Sequence, residues 1–448
     1  MSTDTTPKTV SQTLAKFAID FNQTPLSGEV EHHAKRAVID WFASLHPGLG
    51  TPAVQVLEAA LADDLDRGAS RLVNGRAATV RAAALIHGTA AHAAEVDDSF
   101  REAMYHPGAA TIAAALAAAQ AVNANGQQFL RAVVIGYEVS TRIGVVMGRA
   151  HYRYWHNTGT MGSFGAAAAA AHLYGLNEPE FANALALAAT FTAGLQQAFR
   201  SESMAKPLHA GRAAEAGILA AQLAKQGMLT SLDILEGESG LGQAMSTGPD
   251  WSNIGATLGQ DFHITRLTFK NHIGCGHTFP AIDGALGLQE EHGFEAKDID
   301  RVDLGVYRPA LDIAGHANPK SADEAKFSLH YMVASALVFG SVRLSAFEPD
   351  RLNDPLTREL MSRIHAKLDS DVDAEFPERR AARVVVTLRD GRRLERFQPD
   401  RKGDPELPLS DADLEGKLIE LAAPVIGQAQ AQALLVRLWN LETSEDLP

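Results

Sequence analysis

Apolar residues recur at helical spacing along most of the first 265 positions. Residues 11–21 and 28–44 each carry such a stripe, and Thr51 with Pro52 reads as the cap and first-turn proline of a third helix. Thr79 precedes the run VRAAALIHGTAAHAA, and the pattern from 127 to 145 predicts a long helix. Asn177 with Glu180 makes a capping-box start for a helix through 193. Lys206-Pro207 opens PLHAGRAAEAGILAAQLAKQG, which Gly227 ends. Alanine and glycine dominate the faces due for burial, so these helices can approach one another closely. No repeat of fixed period stands out, which favours a compact bundle over a solenoid.

Around residue 263 the pattern changes. Positions 263–269 alternate weakly and 301–307 (RVDLGVY) clearly, while 383–388 and 392–397 flank Asp390-Gly391, a strong hairpin signal. Helical patterns fall between them at 280–292 and 324–339, and the chain returns to helix after Pro405, at 410–426 and 428–441. The expected fold class is mostly α: a large all-helical domain from 1–265 and 405–448, with an inserted smaller α+β lid domain, 266–404, able to close over a cleft.

Composition narrows the function. A net charge of −14 over 448 residues argues against nucleic acid as a partner. One cysteine, Cys275, leaves no disulfide framework and no cysteine-built zinc site. The start, MSTDTTPKTV, lacks the apolar core of a signal peptide, and the apolar run 165–173 is too short to span a bilayer. No membrane association and a cytoplasmic location are therefore expected.

The candidate chemistry gathers on HGTAAHAAEVDDSFREAMYHPG, residues 87–108, which brings Glu95, Asp97 and Asp98 up to His106 at a helix-opening proline. His156 and Lys206 likewise stand next to expected helix starts. Free N–H groups and positive partial charge suit helix N-termini to carboxylates, so three that converge would hold a polyanion; ordinary capping explains each one taken alone. Arg200 adds positive charge near Lys206. His87 and His92 are read as core histidines, and Tyr152 and Trp155 as packing. Asp97-Asp98 lacks metal-ligand spacing, and neither GxGxxG after a strand nor GK[ST] occurs, so no metal and no organic cofactor is expected. The arginine-rich hairpin 379–401 reads as a solvated sheet face. In KNHIGCGHTFPAIDG, Lys270, His272, Cys275 and His277 cluster at the expected domain junction.

HAAEVDDS, YHPGAA, WHNTGTMGSFGAAAAAA, MAKPLHAGRAAEAG, KNHIGCGHTFPAID and AKFSLHYMVASAL, with the closing RKGDPELPLS, resemble the MmgE/PrpD family in that order and over nearly the whole chain. The resemblance implies a helical domain with an α+β lid, a homodimer, and activities such as 2-methylcitrate dehydratase, cis-aconitate decarboxylase or iminodisuccinate epimerase, without an organic cofactor. It places the family's acidic motif on 95–98, active-site histidines on His106 and His156, and lysines on Lys206 and Lys270. Cys275 stands where some members have histidine, and Glu95 where aspartate is usual. The expected activity is an epimerase moving a proton next to a carboxylate in a polycarboxylate amino acid such as iminodisuccinate. A methylcitrate-type dehydratase or a cis-aconitate-type decarboxylase is the alternative, and a non-catalytic scaffold the reading from another class. Expected catalytic groups are His106, His156, Lys206, His272 and His277; Asp97, Asp98, Arg200, Lys270 and Cys275 are expected to bind substrate. Alanine-rich helices with an apolar patch also point to a homodimer through the helical domain.

Overall fold

A computed structural model describes residues 8–199, 203–376 and 378–448. Two compact units divide the chain: Met1–Thr268 with Ser410–Pro448, and Phe269–Leu409. The first opens with α1 (Val10–Phe21), α2 (Gly28–Leu49) and α3 (Pro52–Ala60), then the short strands β1 (Leu65–Arg71) and β2 (Ala77–Ala78). There follow α4 (Val80–Ala93), α5 (Pro107–Val122), α6 (Gly126–Tyr152), α7 (Asn157–Leu173), α8 (Glu178–Phe191), α9 (Ala205–Lys225) and α10 (Leu241–Met245).

Local chemistry explains the starts and stops. Thr9 with Gln12, Asn125 with Gln128 and Asn177 with Glu180 form reciprocal capping boxes on α1, α6 and α8. Pro107 takes the first position of α5, where its missing N–H costs nothing, and Asn123 ends that helix in the left-handed region. α6 runs past the expected 145, and Gly148 (φ 61°) kinks it before a short last turn that reaches Tyr152. Nearly all of α5 and α7 is buried all round, as their alanine and glycine content demands. At the α4–α9 crossing a Cβ on Gly211 would lie 2.2 Å from the Leu85 carbonyl oxygen, so only glycine lets these helices touch.

The second unit contains α11 (Phe279–His292), β3 (Ile299–Val306), α12 (Arg308–Ala314), α13 (Ala322–Ala325), α14 (Leu329–Phe339), α15 (Pro349–Leu352), α16 (Pro355–Met361), β4 (Ile364–Leu368), α17 (Ser370–Ala374), β5 (Ala382–Leu388) and β6 (Arg393–Gln398). Its sheet runs β4-β3-β5-β6, with β3 parallel to β4 and the other neighbours antiparallel. The Asp390-Gly391 turn joins β5 to β6, Gly391 taking φ +90°. Val302, Leu304 and Val306 of β3 enter a core with Ile282 and Met332. The chain then returns to the first unit with α18 (Asp411–Ile426) and α19 (Gln428–Trp439).

Four expectations change. The β1–β2 hairpin interrupts the first, otherwise helical unit. Residues 263–269 are not a strand: His263–Arg266 is a 3-10 turn, and Thr268 makes one isolated bridge to Ser99. The helix expected over 324–339 is two: α13 stops at Ala325, and Ser328 caps a fresh start by accepting from the Tyr331 N–H. Lys206 does not precede its helix; α9 is capped at Met204, so Lys206 lies in its first turn.

Candidate active site

Between α4 and α5 the chain carries the acidic motif on a tight path. Glu95 and Met104 both take left-handed φ (59° and 52°), a conformation that costs a non-glycine residue about 1–3 kcal/mol. Asp98 is buried, and its carboxyl accepts from the Gly108 N–H at 3.1 Å and the Tyr137 hydroxyl at 2.8 Å. Burial first, then Asp40 and Asp97, push Asp98 well above the usual carboxylate range. A side chain at Gly108 would collide with this arrangement, its Cβ 2.7 Å from the Tyr137 oxygen. Lys417 of α18 anchors the loop, donating to the Val96 carbonyl at 2.7 Å and pairing with Asp40 at 2.5 Å, both side chains fully buried.

His106, the residue before α5, places Nδ1 2.6 Å from the Asp98 backbone oxygen. A carbonyl can only accept, so Nδ1 carries the hydrogen of the neutral ring and a second proton would go on Nε2. Asp97 sits between two rings, its Oδ2 2.7 Å from His92 Nδ1 and 3.5 Å from His106 Nδ1. His92 is fully buried, and its Nε2 has no hydrogen-bond partner among the described residues. Ligand atoms of His92, Asp97 and His106 approach within 4.8 Å, close enough to share a metal ion. The hydrogen bonds account for that approach, since His106 Nδ1 is already a donor to a carbonyl and His92 Nδ1 faces a carboxylate.

His156 caps α7 by position but makes no side-chain cap bond; its N–H donates to the Gly194 carbonyl. Its ring stacks on His92 with centroids 5.4 Å apart and meets the edge of Phe199 at 4.8 Å. Nδ1 lies 3.1 Å from Nδ1 of His209. Burial first, then the neighbouring charges of His92, Lys206, His209 and His106, hold His156 well below the usual histidine range, so the ring is neutral. Lys206 pairs with Glu95, and its Nζ stands 5.6 Å from the centre of the same Phe199 ring. Burial weighs against its charge, but the Glu95 carboxylate more than offsets this and Lys206 is held above the usual lysine range. Beside His209 opens a cavity of about 550 Å³, lined also by Trp155, Gly194, Leu195 and Arg212.

Of the residues singled out in the sequence, His106, His156, Lys206, Asp97 and Asp98 come together in the first unit. Arg200 lies outside the described residues. In the second unit, Lys270 and Cys275 are buried. His272 is bonded into that unit's interior, its Nε2 2.9 Å from Asp283, whose other oxygen accepts from the Lys402 N–H. His277 Nδ1 bonds the Tyr307 hydroxyl at 2.8 Å; burial first, then Arg380 and Arg401, push it down to about 3. Sequence reasoning passed over two members of the first unit's cluster. His92 was assigned to the core, and His209 went unremarked although it follows Lys206 by three positions and so shares its helix face.

Comparison with known proteins adds a second line of evidence. Residues 12–254 match the MmgE/PrpD N-terminal domain and residues 272–441 the MmgE/PrpD C-terminal domain. The chain is 27% identical to "Cis-aconitate decarboxylase-like protein oryM" of Aspergillus oryzae, over 99% of this chain and 97% of that one. It is 28% identical to human "Cis-aconitate decarboxylase" over 81% of this chain and 77% of the human protein. The Aspergillus terreus protein of that name is 24% identical over 98% and 94%. No described helix is long and apolar enough to cross a membrane.

Proposed function

The chain belongs to the MmgE/PrpD family, and on that premise we propose that it is a lyase that decarboxylates a small unsaturated polycarboxylate such as cis-aconitate. The observation that carries this reading is the meeting of His106, His156 and a charged Lys206 around the acidic loop of the first unit. The names of the similar proteins weigh for decarboxylation over the epimerisation expected from sequence.

In such a reaction the bond from an allylic carbon to its carboxylate breaks and carbon dioxide leaves. The electron pair spreads through the double bond onto a remaining carboxylate, and one proton is taken up at carbon. The hard part is the added negative charge. Lys206 supplies a preorganised positive charge for it, and the neutral His156 an N–H to hydrogen-bond the same oxygens. His106 delivers the proton from Nε2 as an imidazolium, with Asp97 and the Asp98 carbonyl behind Nδ1. Its side chain is 19% exposed, enough to regain that proton from water once product leaves.

Incubation with cis-aconitate in deuterated water tests the reading. One carbon dioxide released per substrate consumed, with one deuterium bound to carbon in the product, is expected. Inertness toward cis-aconitate, together with interconversion of iminodisuccinate stereoisomers and α-carbon exchange, would replace it with the epimerase.

A further inference from the structure

A polycarboxylate offers only acceptors, so a neutral imidazole can help it only by presenting N–H. For His156 to do so from Nε2, its single proton must sit there, and Nδ1 must be an acceptor. The group facing Nδ1 must then be a donor. That group is His209 Nδ1, 3.1 Å away. We infer that His209 fixes the tautomer of His156, donating from its own Nδ1 so that His156 keeps its hydrogen on Nε2 and hydrogen-bonds the charge developing on the substrate. The inference rests on the reading of His156 given above, and His209 is a positioning residue.

The pair is built rather than accidental. His209 follows Lys206 by three positions on α9, so one turn of helix presents both. Gly194 threads past the two rings: its carbonyl accepts from the His156 N–H, and a Cβ there would stand 3.2 Å from His209 Nδ1. From the other side, a Cβ on Gly159 would lie 3.1 Å from that of His209. The resulting site contains two histidines of opposite hand. His106 is backed by an acceptor, the Asp98 carbonyl, which puts its hydrogen on Nδ1. His156 is backed by a donor, which puts its hydrogen on Nε2. One site thereby holds a proton carrier and an electrophile made from the same side chain, distinguished by what stands behind each ring.

Asn and Asp at position 209 separate this role from a structural one, because they have the same shape and differ in what they offer. His209 lines the cavity of about 550 Å³, so either shorter side chain enters open space rather than a packed core. His209→Asn retains an N–H for His156 Nδ1 and is expected to keep kcat within about tenfold. His209→Asp only accepts, draws the His156 hydrogen to Nδ1, and is expected to lower kcat by about a hundredfold or more with KM changed far less. Nitrogen-15 NMR of the wild type should show His156 protonated at Nε2, and of His209→Asp at Nδ1. Equal kcat for the two variants at equal melting temperature, or a wild-type His156 protonated at Nδ1, would overturn the inference. Two further results separate this failure from that of the proposed function. If His156→Ala is inactive while Asn and Asp at 209 are equivalent, the decarboxylase reading stands and only the role of His209 falls. If cis-aconitate is not consumed at all, the functional reading falls and the NMR spectrum alone decides the tautomer.

Discussion

In the proposed reaction His106 acts through what lies behind it. Its Nδ1 donates to the Asp98 carbonyl, so the proton it would exchange is the one on Nε2. Asparagine can still donate to that carbonyl but cannot shuttle a proton, so His106→Asn is expected to melt within a few degrees of wild type. Its turnover should fall by about a hundredfold or more, measured as carbon dioxide release; near-normal turnover would return His106 to a helix-start residue. His106, His156 and Lys206 were legible in the sequence because each stands beside a helix start that proline or glycine marks. His92 and His209 were not, since their importance lies in which ring or carboxylate meets them in space. The partners of His272 and His277 were hidden from the sequence in the same way. Their residue type suggested acid–base work, but Asp283 and Tyr307, which bond them into the second unit, lie 11 and 30 positions further along the chain.

Elements follow their signals where those signals are local. Thr9, Asn125, Asn177 and Ser410 each cap the helix that follows. The hairpin at 65–78 was not legible because LDRGASR has no clean alternation and its partner strand is two residues long. One bond tying the turn of that hairpin to α4 comes from His87, fully buried, whose Nε2 accepts from the Val73 N–H at 3.1 Å. Burial, then the charge of His46, push its folded value from 6.5 down to about 4. The unfolded chain therefore binds this proton first, and the stability present above pH 6.5 is lost as pH falls through 4. That loss amounts to up to about 3 kcal/mol. Melting temperature against pH should show this descent in the wild type and a shallower one in His87→Leu. Parallel curves would remove His87 from the account. A second link between elements is the fully buried pair of Lys417 on α18 and Asp40 on α2. Lys417→Met takes away Asp40's ammonium partner and the bond to Val96, and is expected to cost about 3–5 kcal/mol in denaturant unfolding; a loss below 1 kcal/mol would contradict it.

At the scale of the molecule, the change from helical to alternating pattern anticipated β3, β5 and β6. It did not anticipate β4, which pairs in parallel with β3 across some sixty residues of intervening chain. Within the first unit the apolar surface also has a consequence. Tyr154 and Leu195 are 59% and 54% exposed, and their segments meet where Trp155 and Leu195 pair. Two copies associating through this unit would cover them. Sedimentation velocity at micromolar concentration is expected to show a dimer, and a monomer there would count against it.

The central claim is that the first unit's histidines and lysine are the catalytic centre, and Lys206 tests it most directly. Methionine keeps the aliphatic stem and removes the charge that faces the developing anion. The measurement is kcat for carbon dioxide release by Lys206→Met, with melting temperature taken on the same preparation. A loss of about a hundredfold or more at a melting temperature within a few degrees of wild type is the predicted result. A variant that melts lower yet turns over normally would show that Lys206 serves only its ion pair with Glu95, and would contradict the account.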